Sequence, residues 1–175
     1  MKMKVQHPDH GRPFIPELTL VMDAPSRFIV GWSVSLAENA LAVADAIRNG
    51  IENHGIPAIY YSDNGGGEKN WTLDADITGI LPRLGINHQT GLPGNPPGRG
   101  IIERVNQTLA IRIARQFETY HGRGADRDTV RQTSTAVISL DKAIRQGRTE
   151  LTNKQRWAVG KLPTWKQFID ACLLY

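Results

Sequence analysis

The order of strand-like and helix-like segments constrains the fold of this chain more than any other feature of its sequence. Residues 18–22 and 28–34 are apolar runs rich in β-branched side chains, and turn-forming residues around Pro25 separate them. This pattern predicts two neighbouring strands. Residues 35–54 then repeat apolar side chains at helical spacing, with Ser35 as the expected N-cap. The first half of the chain therefore begins a sheet and covers it with a helix.

Strand and helix patterns alternate after this point. Short apolar runs at residues 56–62 and 86–90 predict two more strands, the first of them buried. Residues 71–84 and 101–117 predict the helices that follow them. With residues 1–6 taken as an earlier strand, the order predicts an α/β fold in which helices flank a mixed five-stranded sheet.

The last third of the chain has a different composition. Residues 119–162 are polar and basic, with helical periodicity around 128–147 and few candidate core residues. Thr164 is the expected cap of a final amphipathic helix. We therefore expect a core domain over residues 1–120 and a basic, mostly helical extension over residues 121–175. Trp157 and Trp165 fit either a core or a base-stacking role.

Charge and composition limit the function classes. The formal net charge is +4, and residues 142–166 contain seven basic residues against one acid, Glu150. This basic excess favours a polyanionic partner, although an ordinary solvated surface explains it equally well. No apolar run is long enough to span a bilayer, so no membrane partner is expected. A single cysteine, Cys172, excludes an internal disulfide and favours an intracellular, cytoplasmic protein.

Two carboxylates stand out by their local context. Asp63 ends the apolar run at residues 56–62, and Glu103 opens a helical pattern just after the Pro/Gly-rich residues 91–100. An acid at a strand end and an acid on a helix can face one divalent cation, and Mg²⁺ prefers such oxygen ligands. This arrangement predicts a metal-dependent enzyme that acts on phosphodiesters.

The surrounding motifs resemble those of a known family. Ser62-Asp63-Asn64-Gly65 is similar to the second catalytic aspartate motif of DDE transposases and retroviral integrases, and residues 96–104 resemble their mobile loop and catalytic glutamate. Residues 20–32 resemble the second and third strands of that core. The resemblance covers about residues 17–117 and is greatest to phage Mu-type transposases. It implies a ribonuclease H-like fold for the predicted sheet.

The resemblance also implies a chemistry. Members of the family hold two Mg²⁺ or Mn²⁺ ions on three carboxylates and nick and join DNA strands. Asp63 and Glu103 correspond to the second and third of these catalytic metal ligands. We expect DNA contacts from the neighbouring polar and basic side chains, namely Asn64, Lys69, Arg99 and Arg104. The implied partners are DNA ends, target DNA and further copies of the chain, in a bacterial or phage-encoded, DNA-associated protein.

The first carboxylate of the family has no clear counterpart. Asp23 follows a strand, but it ends the second strand by our count, and its expected role is to brace the turn through Ser26 and Arg27. Asp9 falls in a loop. We therefore expect that the sequence begins just after the first catalytic aspartate, and that this polypeptide alone binds metal weakly and has little or no activity.

Two alternatives remain on the same fold. A non-catalytic DNA-binding or regulatory module needs no third carboxylate. A structure-specific nuclease leaves nicks without joined strands.

Overall fold

The computed structural model describes residues 1–62, 73, 75, 79–90 and 100–175, with the backbone alone at 101 and 102. The strands of this part of the chain are β1 (Val5–Gln6), β2 (Pro13–Phe14), β3 (Glu17–Met22), β4 (Ile29–Ser35), β5 (Ile59–Ser62) and β6 (Asn87–Thr90). The helices are α1 (Ala40–His54), α2 (Ile80–Arg83), α3 (Gly100–Ala114), α4 (Arg127–Arg145), α5 (Asn153–Lys161) and α6 (Trp165–Cys172). None of these helices has the length and apolar content needed to cross a membrane.

The chain divides into two compact units. One unit comprises Met1–Pro16 and Gln107–Tyr175, and the other comprises Glu17–Asn106. We call the first the terminal unit and the second the central unit. The boundary between them falls within α3. A domain boundary at residue 120 stays a prediction.

The predicted hairpin at the start of the central unit is confirmed. β3 and β4 pair antiparallel, with Leu20 opposite Trp32 and an irregularity between Val21 and Met22. The amide of Asp23 donates to the carbonyl of Phe28 at 2.8 Å and closes the turn. Local alternation and turn chemistry are enough to specify this element.

Helix α1 begins later than predicted. Asn39, rather than Ser35, is the N-cap, and its Oδ1 accepts a hydrogen bond from the amide of Ala42 at 2.8 Å. Ser35 still belongs to β4, where it pairs with Glu17, and its hydroxyl donates to the carbonyl of Ala37. The helix ends at Gly55, which has a φ of 92°, as predicted.

The remaining strands of the central unit run parallel. β5 pairs with β6, with Tyr60 opposite His88 and Ser62 opposite Thr90. One face of β5 is directed to a core cluster that includes Val43, Ile47, Leu73, Leu81 and Ile86. The other face is open to solvent, since Ile59 is 55% exposed and Tyr61 is 52% exposed. The expectation of a fully buried strand is therefore wrong for this face.

The expectation of one five-stranded sheet is also wrong for the described residues, which form three two-stranded sheets. The mixture of antiparallel and parallel pairs and the α/β class are confirmed. Residues 5–6 pair with β2 instead of β3. Backbone groups at and beside β1 bond elsewhere in the terminal unit: the amide of Gln6 donates to the carbonyl of Pro163 at 2.9 Å, and the amide of Lys4, just before β1, donates to Thr119 Oγ1.

The terminal unit has its own core, contrary to the expectation for residues 119–162. Helices α4 and α5 pack through a buried cluster of small and branched side chains: Ala136, Val137, Leu140, Ala158 and Leu162. Helix α5 was not predicted, although Thr152 and Gln155 form a capping box at its start. Helix α6 is confirmed, with Thr164 as its N-cap.

The β1–β2 hairpin packs on these helices. Gln6 Nε2 donates to the carbonyls of Val159 and Leu162. The ring of Phe14 lies 5.7 Å from that of Trp165, which lies 5.4 Å from that of Phe168. Trp165 therefore has a packing role.

Candidate functional site

The candidate site starts at the carboxyl ends of the parallel strands β5 and β6. In an open α/β sheet, ligands bind outside the carboxyl ends of the strands, where the connections leave the sheet. Ser62 and Thr90 lie opposite each other as the last residues of their strands. The chain therefore leaves β5 and β6 at the same edge.

A polar side-chain contact joins β5 and β6 near this edge. Ser62 is buried, and its Oγ lies 2.8 Å from Nε2 of His88 on the neighbouring strand. The imidazole of His88 also lies 5.3 Å from the ring of Tyr60. These side chains share one face because strand side chains alternate with a period of two. Sequence reasoning missed the Ser62–His88 pair, because it depends on the register of two strands that are separated in the sequence.

Glu103 lies in the first turn of α3 and is exposed. Within the described residues, its carboxylate has no hydrogen bond or ion pair. The positive end of the helix dipole favours a negative charge at this position.

Arg104 occupies the next position and is also exposed. Its Nε donates to the carbonyl of Gly100 at 3.1 Å, so the side chain folds back over the start of α3. The guanidinium is thereby positioned beside the same first turn as Glu103.

The other predicted site residues are Asp63, Asn64, Lys69 and Arg99, and they lie outside the described residues. The convergence of Asp63 and Glu103 on one cation therefore stays a prediction. In the part of the chain that the structure covers, no three His, Cys, Asp or Glu side chains gather as a metal site.

Asp23 has the turn-bracing role that the sequence predicts. Its Oδ2 accepts hydrogen bonds from both the amide and the hydroxyl of Ser26, at 3.0 and 2.5 Å, and its carbonyl accepts from the amide of Arg27. The hydroxyl and then the amide of Ser26 lower the pKa of Asp23. This carboxylate is therefore ionised and already engaged in the hairpin turn.

Asp9 lies in the connection between β1 and β2 and is exposed. Its nearest partner is His7, whose Nδ1 accepts from the Asp9 amide at 3.2 Å. Both residues belong to the terminal unit, whereas Glu103 belongs to the central unit.

Comparison with known proteins gives several related sequences. The transposase for transposon Tn552 of Staphylococcus aureus is 32% identical over 114 residues, which covers 60% of this chain and 23% of that protein. The Pol polyprotein of Equine infectious anemia virus (strain Wyoming) is 30% identical over 132 residues, covering 75% of this chain and 10% of the polyprotein. The predicted resemblance to DDE transposases and retroviral-type integrases is confirmed. None of these relatives bears on the closer placement among Mu-type transposases.

A further relative is the Gag-Pol polyprotein of Bovine immunodeficiency virus (strain R29), 35% identical over 106 residues, with 60% of this chain and 6% of the polyprotein covered. The chain thus spans less than a quarter of the length of these relatives. No protein-family model matches it.

Among solved structures, a simian T-cell lymphotropic virus intasome in complex with PP2A regulatory subunit B56 gamma shares 19% identity with a TM-score of 0.49, covering 93% of this chain and 52% of that chain.

Proposed function

We propose that this chain carries two metal-binding carboxylates, Asp63 and Glu103, of an enzyme that cuts and joins DNA strands. The observation that supports this most is the register of β5 and β6. Because Ser62 and Thr90 end their strands side by side, the connection into Asp63 and the connection leading to Glu103 leave from one edge. We propose that the two connections carry their acids to this edge, where the two carboxylates share a cation.

The donor set fits a hard divalent cation. Carboxylate oxygens suit Mg²⁺ and Mn²⁺, and Glu103 offers an exposed carboxylate without a hydrogen bond or ion pair among the described residues. Such a cation, when bound, activates a water or a 3′-hydroxyl and stabilises the leaving oxygen of the phosphodiester. In the same proposal the central unit is a ribonuclease H-like core.

The basic and amide side chains near the two acids would orient the DNA. Arg104 is exposed at the first turn of α3, beside Glu103, where a guanidinium can contact a phosphate. We propose further DNA contacts from three polar or basic residues that lie near the two acids in the sequence, namely Asn64, Lys69 and Arg99. A DNA-associated assembly of several copies follows from this proposal.

The activity of the chain alone is proposed to be weak. The family chemistry uses a third carboxylate, and the hydrogen bonds from Ser26 to Asp23 argue against that residue as the third ligand. Metal affinity would then rest on Asp63 and Glu103.

The test is a product assay with supercoiled DNA and a labelled oligonucleotide carrying a free 3′-hydroxyl, in Mn²⁺. We expect slow joining of the oligonucleotide to the plasmid. Asp63→Asn and Glu103→Gln should each abolish it, while Asp23→Asn should leave it unchanged. Nicks without joined products would favour a nuclease. DNA binding without either product would favour a non-catalytic module, and equal products from the Glu103→Gln chain would contradict the proposed ligand.

A further inference from the structure

A groove between α4 and α5 in the terminal unit has no role in the proposed strand transfer. Its volume is about 660 Å³, within the range of ligand sites in proteins. It is lined by polar and charged side chains and one indole: Asp128, Arg131, Gln132, Thr135, Lys154 and Trp157. Its floor includes Ala136, which is buried.

The groove is fixed by the packing of its two helices. Ala136 and Ala158 belong to the buried cluster that joins α4 to α5. Gln155 Nε2 also donates to the carbonyl and the hydroxyl of Ser139, at 3.3 and 3.1 Å. The same Gln155 accepts the amide of Thr152 in the capping box of α5. The lining side chains therefore project from two helices that are held together by a buried core and by hydrogen bonds of Gln155.

Two cations face the groove from opposite helices. Arg131 projects from α4 and Lys154 from α5, and both are exposed. Asp128 is the acid in the lining, so the groove carries a net positive charge. Gln132 and Thr135 add hydrogen-bonding groups that are neutral. An anionic ligand with polar edges fits this set of side chains.

Trp157 sets the class of that ligand. Its indole is 42% exposed, one helical turn from Lys154. The ammonium of Lys161 lies 5.6 Å from the ring centroid and is also ion-paired with Glu118. An exposed indole held beside basic side chains is the arrangement on which unpaired bases stack, while the cations contact the phosphates.

We propose that this groove binds a single strand of nucleic acid, with an unpaired base stacked on Trp157 and phosphates at Arg131 and Lys154. A duplex keeps its bases stacked on one another, so only its ends offer a base face to the indole. The proposal names a DNA contact that is separate from the metal site, and it does not depend on Asp63 or Glu103.

Binding of a labelled oligothymidine in EDTA tests the proposal, because chelation silences any metal site. Trp157→Ala should weaken binding at least about five-fold, and Trp157→Phe should retain most of the affinity. The double substitution Arg131→Gln with Lys154→Gln should reduce the slope of log affinity against log salt by roughly 0.7 for each charge removed. Asp128→Asn should strengthen binding, since it removes the negative charge from the groove.

Lys166→Gln is the matched control. Lys166 is an exposed lysine of α6 outside the groove and pairs with Asp170, so its loss should change affinity less than about two-fold. Thermal melting confirms that each variant is folded. In EDTA, the Asp63→Asn variant should bind the oligothymidine with the same affinity as the unaltered chain. The outcome is therefore independent of the strand-transfer proposal.

Three results would overturn the proposal. The first is unchanged affinity in the folded Trp157→Ala variant. The second is equal affinity for the duplex and the single strand. The third concerns polyglutamate. If polyglutamate displaces the oligonucleotide and binds the Trp157→Ala variant as tightly as the unaltered chain, the partner of the groove is an acidic protein.

Discussion

The guanidinium of Arg12 donates from Nε to Oδ1 of Asp141 at 2.8 Å and so links the β1–β2 hairpin to α4. Arg145 Nε lies 2.8 Å from the other carboxylate oxygen of Asp141. Burial of Asp141 opposes its ionisation, but the hydrogen bond and charge of Arg12, followed by those of Arg145, outweigh it and lower the pKa of Asp141. One carboxylate therefore holds two arginines from distant parts of the sequence.

Asp141→Asn should destabilise the chain by about 1 kcal/mol at neutral pH, because it removes both charge-assisted contacts. The measurement is the shift of the urea unfolding midpoint. Asp170→Asn breaks an exposed pair with Lys166 within one helix and is the control, with an expected change below about 0.5 kcal/mol. Equal stability of the Asp141→Asn and unaltered chains would contradict the proposed link.

The same pair predicts a pH dependence. Since the pKa of folded Asp141 lies below its ordinary value of 3.8, its contribution to stability is complete well above that value. The contribution is lost as the pH falls through the lower pKa of the folded state. The difference in unfolding free energy between the unaltered chain and Asp141→Asn should therefore be constant near neutrality and vanish in acid. If this difference in unfolding free energy grew as the pH fell, the proposed lowering of the Asp141 pKa would be contradicted.

Gly31→Ala should destabilise the central unit by at least about 2 kcal/mol. A Cβ at Gly31 would lie 2.2 Å from the carbonyl oxygen of Ala46 and 2.8 Å from the amide nitrogen of Gly50, so α1 would have to move away from β4. Gly160→Ala is the control, because nothing lies within 4 Å of its Cβ inside α5. That substitution should stabilise the chain by roughly 0.5–1 kcal/mol. Chemical denaturation of both variants gives the comparison.

Mn²⁺ should raise the melting temperature of the unaltered chain, because a ligand that binds only the folded state stabilises it by mass action. The rise should disappear with EDTA and should be smaller in Asp63→Asn and Glu103→Gln. Asp23→Asn should keep it, since that carboxylate braces a turn. If Mn²⁺ raised the melting temperature of the Asp63→Asn and Glu103→Gln variants as much as that of the unaltered chain, the cation would bind at another site.

Elements specified by local sequence were predictable. The β3–β4 hairpin follows from alternation and turn residues, and α6 follows from the cap at Thr164. The start of α1 was misplaced because Ser35 is used by β4, an interaction with Glu17 that the helical pattern does not contain. The five-stranded sheet was wrong, since the described strands form three separate pairs. The pairing of β1 depends on contacts distant in the sequence, such as the hydrogen bond from the amide of Gln6 to the carbonyl of Pro163.

In the candidate site, too, features set by local sequence were predictable and contacts between distant segments were not. Asp63 and Glu103 stand out because each has a distinctive local context, a strand end and a helix start. The contact between Ser62 and His88 depends on the register of two separate strands, and single-sequence patterns do not fix register. Trp157 and Trp165 both lie in the basic part of the sequence, but their surroundings differ: Trp157 lines a groove, whereas Trp165 packs beside Phe14 and Phe168.

Anomalous diffraction from a crystal soaked in Mn²⁺ tests the shared cation most directly. We predict a manganese peak in direct coordination, at about 2 Å, with carboxylate oxygens of both Asp63 and Glu103. The peak should be lost in a Glu103→Gln crystal. Carboxylates of Asp63 and Glu103 that lie too far apart to share an ion, or a peak on neither of them, would contradict the account.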